Sequence, residues 1–421
     1  MSVALSAGDE AMLRGEHGEA AAFAMSVLVA MADVQRASAL LDITHAHIDS
    51  TIYVGEATLE YAERLAAMGA TVRVPTTLNV SGLDEHGWER WSVPPAWAAS
   101  AHRQMVAYQS MGAIPTWTCA PYQTPYARPA LGQQVAWGES NAIAFANSVL
   151  GARTERYPDL LDICCAITGR APACGLHLTP ARAATLLVQL RDVPREIQED
   201  DAFYPVLGAA IGRLAGDAVP VIDGLGVKPD EDALKAVCAA AASTGRVALF
   251  HIVGVTPEAA TLSDACQGRT PERTVVLTAD DLRRERAALT TAQGTALDLV
   301  ILGSPHFSLD EFRRLAPLLE GRRKAPHVRV LVTSSRFMRE LAREAGLLAA
   351  LEAFGGEVTV DTCILATPML PASVKCLMTN SGKYAYYAPG LLGTTITFGS
   401  LSDCVASAVS GRVEVDMTRW A

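Results

Sequence analysis

The sequence predicts an α/β protein with parallel sheets. Short apolar runs typical of buried strands alternate with helical patterns along most of its 421 residues, which is the order expected of βαβ units. Half of the residues are hydrophobic and only 19% are charged, so the chain has enough apolar material for large cores. Because one core rarely organises a chain of this length, we expect domains at 1–224, 225–322 and 323–421.

The individual elements follow this alternation. An apolar helix is predicted at 19–39 and a buried strand at 39–43, and a helix at 58–68 precedes a strand at 70–74. The Ser308-x-x-Glu311 spacing predicts a capping box at the start of a later helix. Further strands, with helices between nearly all of them, are predicted at 218–222, 247–253, 274–277, 297–302, 328–333 and 358–360.

Composition argues against several classes of protein. The formal net charge of −10 and the lack of a basic run argue against a nucleic-acid partner. The acidic start lacks the pattern of a signal peptide, and the uncharged stretches at 20–32 and 384–402 are too short or too broken to span a membrane. We therefore expect a cytoplasmic protein. Its nine scattered cysteines indicate free thiols or metal ligands rather than a disulfide framework.

Polar clusters follow the first predicted strands. His45 and His47 form a His-x-His pattern that binds metal in some hydrolases, although two hydrogen-bonded loop histidines fit it equally well. Thr77 and Asn79 place a hydroxyl group and an amide at the end of the next strand. These groups can orient a small polar ligand, but an ordinary turn is the simpler interpretation.

Two cysteines stand out among the later clusters. Cys119 precedes Glu139, Ser140 and Asn141, which suggests an iron ligand beside an acid-binding surface. A single cysteine is, however, more often a core residue. Cys363 follows the strand predicted at 358–360. Because parallel strands end at one edge of a sheet, it is the best partner for Cys119.

Two more clusters contain candidate catalytic groups. His306 follows the strand at 297–302 and can carry a proton or simply belong to a loop. The segment at 378–384 superficially matches a phosphate-binding loop, but Leu377 replaces its first glycine and Tyr384 replaces its hydroxyl residue. Nucleotide binding is therefore rejected, and Lys383 is kept as a candidate clamp for a carboxylate.

Taken together, these clusters resemble the catalytic large subunit of the aconitase X family, over almost the whole chain. The resemblance implies an aconitase-like α/β fold, with several parallel or mixed sheets and flanking helices around a central cleft that holds an iron–sulfur cluster. It also implies a small swivelling domain. Because the chain begins and ends close to the large-subunit motifs, we expect that domain to be a separate small subunit. The resembling segments are 76–79, 118–122, 138–142, 147–154, 166–170, 361–363 and 380–383.

The resemblance implies two activities, dehydration of cis-3-hydroxy-L-proline and dehydration of phosphomevalonate (mevalonate 5-phosphate). This chain reads His47-Ile48-Asp49-Ser50 where the phosphomevalonate type has His-Val-Ser-Gly. Asp49 would repel a phosphate but can hold the ring ammonium of an imino acid. We therefore expect a hydro-lyase that converts cis-3-hydroxy-L-proline to 1-pyrroline-2-carboxylate. The large subunit of mevalonate 5-phosphate dehydratase is the alternative.

The roles of individual residues are likewise implied by the resemblance. Ser304 stands where a further cluster cysteine is expected, so [2Fe–2S] is favoured over [3Fe–4S] or [4Fe–4S]. The expected cluster ligands are Cys119, Cys363 and Cys164, with Cys165 or Cys376 able to replace Cys164. The expected catalytic residues are Lys383, Ser381 and His306. The expected substrate-binding residues are His47, Asp49, Ser50, Thr51, Thr77, Asn79, Glu139, Ser140 and Asn141.

The general base is expected to be a serine of the small subunit. Two alternatives come from other classes of protein. A metal-dependent hydrolase would use His45 and His47, but no later histidine series accompanies the pair. A non-catalytic scaffold that binds a small partner would explain the surplus of apolar residues, but it leaves the polar clusters at strand ends unexplained.

Overall fold

The N-terminal region of the molecule contains two small sheets. The computed structural model describes residues 3–421. The helices of this region are α1 (Ala7–Leu13), α2 (Glu19–Val34), α3 (Glu56–Ala67), α4 (Pro95–Ser110), α5 (Ser140–Phe145) and α6 (Leu161–Thr168). The strands are β1 (Leu40–Asp42), β2 (Ala46–Ile48), β3 (Thr76–Leu78), β4 (Ala136–Trp137) and β5 (Arg170–Pro172). Strands β3, β2 and β4 pair in that order in parallel, while β1 and β5 pair antiparallel.

The middle region is a four-stranded parallel sheet in the order β8-β7-β6-β9. Its strands are β6 (Leu186–Leu190), β7 (Pro220–Asp223), β8 (His251–Ile252) and β9 (Arg273–Leu277). Its helices are α7 (Arg195–Gln198), α8 (Phe203–Ala215), α9 (Glu231–Gly245), α10 (Leu262–Ala265) and α11 (Ala279–Ala288). Each strand is thus followed by at least one helix, as parallel pairing requires.

The C-terminal region is a five-stranded parallel sheet in the order β12-β11-β10-β13-β14. Its strands are β10 (Leu299–Phe307), β11 (Arg329–Ser334), β12 (Glu357–Val360), β13 (Cys376–Thr379) and β14 (Thr395–Phe398). Its helices are α12 (Leu309–Leu319), α13 (Arg336–Glu344), α14 (Leu347–Phe354), α15 (Gly382–Leu392) and α16 (Leu401–Ser410). The carboxyl ends of these strands share one edge, where Cys363 follows β12 and Lys383 follows β13.

The predicted α/β class with parallel sheets is confirmed, and most predicted strands overlap observed ones. The strand predicted at 70–74 is wrong. The backbone N–H groups of Val72 and Arg73 bond to the carbonyls of Met111 and Ala166, at the end of α4 and within α6, so the strand begins only at Thr76. The capping box at the start of α12 is present as predicted.

The predicted boundaries at 224 and 322 do not coincide with the sheets. Residue 224 directly follows β7, inside the four-stranded sheet, and residue 322 lies between the adjacent strands β10 and β11. The cause is that β6 was absent from the predicted strands, which hid the start of the middle sheet. The three sheet regions instead meet near residues 180 and 290.

Apolar cores join these regions into one body. One core packs Ala46 and Leu78 of the N-terminal sheet with Leu299 and Ile301 of β10. A second packs Trp137 and Phe145 with residues of α8 and α15. Within residues 3–421, no helix has both the length and the apolar character needed to cross a membrane.

Candidate active site

Two cysteine-bearing loops meet at His306, near the carboxyl end of β10. The His306 ring has Nδ1 3.1 Å from the hydroxyl oxygen of Thr118 and Nε2 3.0 Å from the carbonyl oxygen of Thr362. These two residues directly precede Cys119 and Cys363. The backbone N–H of His306 also donates to Cys119 Sγ at 3.2 Å. The structure therefore brings together the segments that carry the two principal predicted ligands.

The two thiols share an environment with one nearby cation. Burial and the carboxylate of Glu139 raise the pKa of Cys119 to about 12, although the ammonium of Lys383 opposes this shift. Burial also raises the pKa of Cys363, again against the effect of Lys383. Cys363 Sγ lies 3.7 Å from the hydroxyl group of Tyr384. Positive charge at this point is what stabilises the thiolate form that binds metals.

Lys383 forms a buried ion pair with Glu139, which lies 244 residues away. Glu139 caps α5, and its Oε2 accepts the backbone N–H groups of Asn141 at 3.0 Å and Ala142 at 3.1 Å. Burial lowers the pKa of Lys383, but the Glu139 carboxylate more than reverses this, so the amine stays charged. Within residues 3–421, Nζ donates to no other acceptor. The pair therefore leaves N–H groups of Lys383 for a ligand.

A cavity of about 120 Å³ adjoins this ion pair and is lined by Asp49, Glu139, Ser140 and Asp162. Burial, together with the carboxylates of Glu139 and Asp162, raises the pKa of Asp49 to about 7. The amide of Asn79 donates to Asp49 Oδ1. A cavity of this size admits only a small ligand, and Asp49 is half-protonated near neutral pH before a ligand binds.

Asp162 is the main residue that the sequence interpretation missed. Its Oδ2 accepts the backbone N–H groups of Asp49 at 2.6 Å and Ser50 at 3.2 Å, and its Oδ1 accepts the Ser50 hydroxyl group at 2.8 Å. Ser50, predicted to bind substrate, is thus committed to holding this loop. A carboxylate inside the apolar helix α6 was the available signal, because buried acids rarely lack a specific partner.

Glycine is required where two strands approach closely near these residues. A Cβ on Gly138 would lie 2.6 Å from Cβ of Asp49. A Cβ on Gly303, whose φ is +95°, would lie 2.2 Å from the carbonyl oxygen of Thr333. These positions hold the loop after β4 and strand β10 in place.

The predicted substrate-binding residues Thr51 and Asn141 and the predicted catalytic residue Ser381 hold backbone instead. The Thr51 hydroxyl group lies 3.1–3.3 Å from three main-chain carbonyl oxygens. Asn141 donates to the carbonyl oxygen of Cys119 at 2.9 Å and accepts from the hydroxyl group of Tyr122 at 2.8 Å. Ser381 caps α15 and its hydroxyl group donates to the carbonyl oxygen of Ser304. Each fixes a loop of the site and is not an open side chain.

The two histidines of the His-x-His pattern are buried in the N-terminal sheet. His47 Nδ1 lies 2.8 Å from the Thr77 hydroxyl oxygen, and His45 Nδ1 accepts from Trp137 Nε1 at 2.9 Å. The Nε2 atoms of both rings are buried without a partner. Within residues 3–421, no three His, Cys, Asp or Glu side chains gather as a metal site, so the hydrolase alternative lacks its third ligand.

Cys164 does not join the cysteine pair. It lies in α6, fully buried in the N-terminal core, with Sγ 3.2 Å from the Tyr61 hydroxyl oxygen and 3.5 Å from the Leu160 carbonyl oxygen. Cys165 is buried in the same core, and Cys376 begins β13, at the opposite edge of the sheet from Cys363. The prediction of Cys164 as a ligand, with these two as substitutes, failed because sequence proximity to Cys119 does not determine which way a helix faces.

A larger cavity of about 420 Å³ lies between α8, α9 and the C-terminal sheet. Ser304 and Ser381 line it, but neither Cys119 nor Cys363 does. These cysteines do not line the smaller cavity either, but Asp49 and Glu139, the partner of Lys383, do, so the smaller cavity has the stronger chemical claim.

Comparison with known proteins matches most of the chain to the domains of one protein family. Family models described as the first, second and third domains of aconitase X match residues 2–180, 184–287 and 297–410. These bounds agree with the sheets rather than with the predicted boundaries. The structure is similar to the crystal structure of Thermococcus kodakaraensis aconitase X (holo-form), with a TM-score of 0.86 and 30% identity over 96% of this chain and 100% of that one.

Curated relatives cover similar lengths of the chain. Cis-3-hydroxy-L-proline dehydratase of Pseudomonas aeruginosa is 48% identical over 99% of this chain and 72% of the relative. The protein of the same name from Hypocrea jecorina is 47% identical over 99% of this chain and 70% of the relative. The phosphomevalonate dehydratase large subunit of Methanothermobacter thermautotrophicus is 39% identical over 91% and 94%.

Proposed function

The chain belongs to the aconitase X family, and from this premise we propose that it is the catalytic part of a hydro-lyase that dehydrates cis-3-hydroxy-L-proline. The observation that carries the proposal is the meeting of Cys119 and Cys363 beside Lys383 and the acidic cavity. Thiols, a cation and a carboxylate at one point are the groups that such an elimination needs.

Cys119 and Cys363 hold an iron–sulfur centre in this proposal. Thiolates are the usual ligands of such centres. Here the His306 N–H donates to the sulfur of Cys119, and the Cys363 thiol donates to the Tyr384 hydroxyl oxygen at 3.7 Å. The hydroxyl oxygen of Thr362 is buried at this point without a partner, which fits a site arranged around an added group. The cluster favoured in this proposal is [2Fe–2S], because Ser304 stands where a further cluster cysteine is expected. The chemistry that the centre supplies when bound is Lewis-acid assistance to the departing hydroxyl group.

Lys383 and Asp49 hold the two charged ends of the substrate. The N–H groups of Lys383 that Glu139 leaves free bind the substrate carboxylate, and ionised Asp49 pairs with the ring ammonium. Loss of the α-proton and of the 3-hydroxyl group as water leaves an enamine, which becomes 1-pyrroline-2-carboxylate. Ser140, at the rim of the same cavity, orients the ring by hydrogen bonding.

The charge of the cavity favours an imino acid over mevalonate 5-phosphate. Asp49, Glu139, Asp159 and Asp162 place four carboxyl groups around the space. Two cations oppose them, the guanidinium of Arg156 in the cavity wall and the ammonium of Lys383, which pairs with Glu139. A phosphate group would meet an excess of negative charge there, whereas an ammonium would be attracted. The higher identity to the hydroxyproline enzymes points the same way.

A small swivelling domain completes the site in this proposal, as a separate small subunit. The names of the phosphomevalonate dehydratase large subunits support such a partner. That subunit supplies the serine that removes the α-proton, so the chain alone is expected to be inactive.

The test combines the chain with the small-subunit component after anaerobic reconstitution with iron and sulfide. Loss of cis-3-hydroxy-L-proline and appearance of 1-pyrroline-2-carboxylate are expected, with no turnover of mevalonate 5-phosphate. Turnover of mevalonate 5-phosphate alone would reverse the choice of substrate. Preparations that bind no iron and sulfide would contradict the proposed cofactor.

A further inference from the structure

Every polar atom of the His306 ring has a partner. The carbonyl oxygen of Thr362 can only accept, so His306 Nε2, 3.0 Å away, carries the ring proton. Nδ1 is then an acceptor and receives the hydroxyl proton of Thr118 at 3.1 Å. The same Thr118 oxygen accepts the backbone N–H of Ala120 at 3.1 Å. The hydrogen-bond network thus assigns one neutral tautomer to the ring.

The ring is closed to a substrate. His306 is 0% exposed, and neither nitrogen is free to take or give a proton without breaking a loop contact. A general acid or base needs a ring nitrogen within hydrogen-bond reach of the reacting group. The catalytic role predicted for His306 from the sequence therefore does not suit its surroundings.

The main chain of His306 is fixed from a third direction. Its carbonyl oxygen accepts from Gln123 Nε2 at 3.0 Å and from Lys235 Nζ at 3.4 Å. Lys235 belongs to α9 of the middle region, so all three regions of the fold contact this one residue. Its backbone N–H, 3.2 Å from Cys119 Sγ, is consequently held in place relative to both cysteine loops.

We propose that His306 is a positioning residue for the cluster-binding cysteines. Its ring holds Thr118 against Thr362, which sets the separation of Cys119 and Cys363, and its backbone N–H donates to the sulfur of Cys119. The inference rests on the proposed function and deepens it. Groups behind the ligands of a metal site orient those ligands and tune the metal in this way.

The test uses the full chain, reconstituted anaerobically with iron and sulfide. His306→Phe keeps a ring but removes both ring hydrogen bonds, and we expect iron binding about 10- to 100-fold weaker with an altered visible spectrum. His306→Asn keeps an acceptor near Nδ1 for Thr118, and His306→Gln keeps a donor near Nε2 for Thr362. Both should give iron affinities between those of the wild-type and His306→Phe proteins.

A matched control separates positioning from general loss of packing. His177 is also buried, at 1% exposure, and both of its ring nitrogens have partners, Gln134 and Tyr157. Within residues 3–421 it contacts neither cysteine loop. His177→Phe is expected to lower the Tm of the metal-free protein to a similar extent while leaving the iron content, sulfide content and visible spectrum unchanged.

Wild-type iron and sulfide contents with an unchanged spectrum in His306→Phe would overturn the inference. An intact spectrum with loss of one limb of the pH–rate profile would assign proton transfer to His306 instead. If His306→Phe does not fold, Thr118→Val removes only the hydroxyl group that bonds the ring, and an unchanged spectrum in that variant overturns the inference equally. Failure of the wild-type chain to bind iron would contradict the proposed function, which is a separate result.

Discussion

Lys235 and Lys383 each form a buried pair with a distant glutamate, but the surroundings of the two lysines differ. Lys235 is 3% exposed and pairs with Glu311, with Asp232 at 3.1 Å and with the carbonyl oxygen of His306 at 3.4 Å. Lys383 is 14% exposed and, within residues 3–421, bonds only to Glu139. An ammonium has three N–H groups. The first lysine uses all of them inside the protein, and the second keeps two.

The difference separates a structural charge from a functional one. Burial opposes the charge of both lysines, and acidic partners raise the pKa of each above its usual value. Around Lys235 the partners are complete, so the charge joins α9 to α12 and to the chain at His306. Around Lys383 they are incomplete, and its charge lowers the pKa values of Cys119, Cys363 and Asp49.

Lys235→Met tests the structural half of the comparison and has the largest expected effect. It leaves the carboxylates of Asp232 and Glu311 buried without their main partner, which should cost about 3–5 kcal/mol of the free energy of unfolding. Urea denaturation measures the loss. Protein that remains folded should still bind iron, since Lys235 contacts neither cysteine and Gln123 keeps its 3.0 Å bond to the carbonyl oxygen of His306.

Arg103→Met is the control for this variant, because Arg103 pairs with Glu63 on the surface. An exposed pair of this kind contributes about 0–1 kcal/mol. The comparison depends on a buried charge stabilising the protein more than a surface charge does. Equal decreases in the free energy of unfolding of the two variants would contradict it.

Lys383→Met tests the functional half. The Glu139 carboxylate keeps its bonds to the backbone N–H groups of Asn141 and Ala142, so the free energy of unfolding should fall less than in Lys235→Met. Loss of the clamp on the substrate carboxylate should lower kcat/KM about 100- to 1,000-fold, as removal of one preorganised donor does in other enzymes. Kinetics with cis-3-hydroxy-L-proline measure it, and an activity near wild type would show that the open N–H groups of Lys383 are not used.

One strand end of this site was readable from the sequence, whereas the contacts across the site were not. Cys363 follows the strand predicted at 358–360, and the rule that parallel strands share an edge made it the expected partner of Cys119. The strand before Lys383, β13, was absent from the predicted set, and only the polar cluster around Lys383 singled it out. No local pattern pairs Lys383 with Glu139, 244 residues away, because that contact depends on α15 and α5 both packing against α9.

His306 illustrates the same limit at the level of one side chain. Its place after an apolar strand is predictable, and both a proton carrier and a loop residue fit that place. The choice depends on Thr118 and Thr362, whose approach to the ring results from the packing of all three regions. Asp162 is the converse case, since an acid in an apolar helix was visible in the sequence.

Asp49→Asn tests whether a second charged group, besides Lys383, binds the substrate. Burial raises the pKa of Asp49 to about 7, above its ordinary value of 3.8, so the carboxylate that pairs with the substrate ammonium forms only as the pH passes 7. We expect kcat/KM to rise with pH through that range and Asp49→Asn to abolish the rise, with a loss of about 10-fold at pH 8. The pH dependence of kcat/KM measures both.

Ionisation of Asp49 should raise kcat/KM but lower the stability of the folded protein. A carboxyl group whose pKa is raised by folding makes the folded state less stable as the pH rises from 4 to 7, because its ionised form is disfavoured there. Asp49→Asn should therefore increase the free energy of unfolding at pH 8. Asp159→Asn removes an exposed acid from the rim of the same cavity and should change neither profile. If it abolishes the rise as well, the effect belongs to the general field of the cavity.

Cys164→Ala extends the comparison from lysines to thiols and has the smallest expected effect. Cys164 resembles Lys235, since its sulfur is already engaged by Tyr61 and by the carbonyl oxygen of Leu160 inside the core. Truncation should cost about 1 kcal/mol of the free energy of unfolding and leave the iron and sulfide contents unchanged. Cys363→Ala, at a half-buried thiol beside Lys383, should instead abolish the centre. Loss of iron from Cys164→Ala would mean that a thiol already hydrogen-bonded inside the core still serves as a ligand. The number of hydrogen-bond partners inside the protein would then no longer distinguish structural from functional groups in this fold.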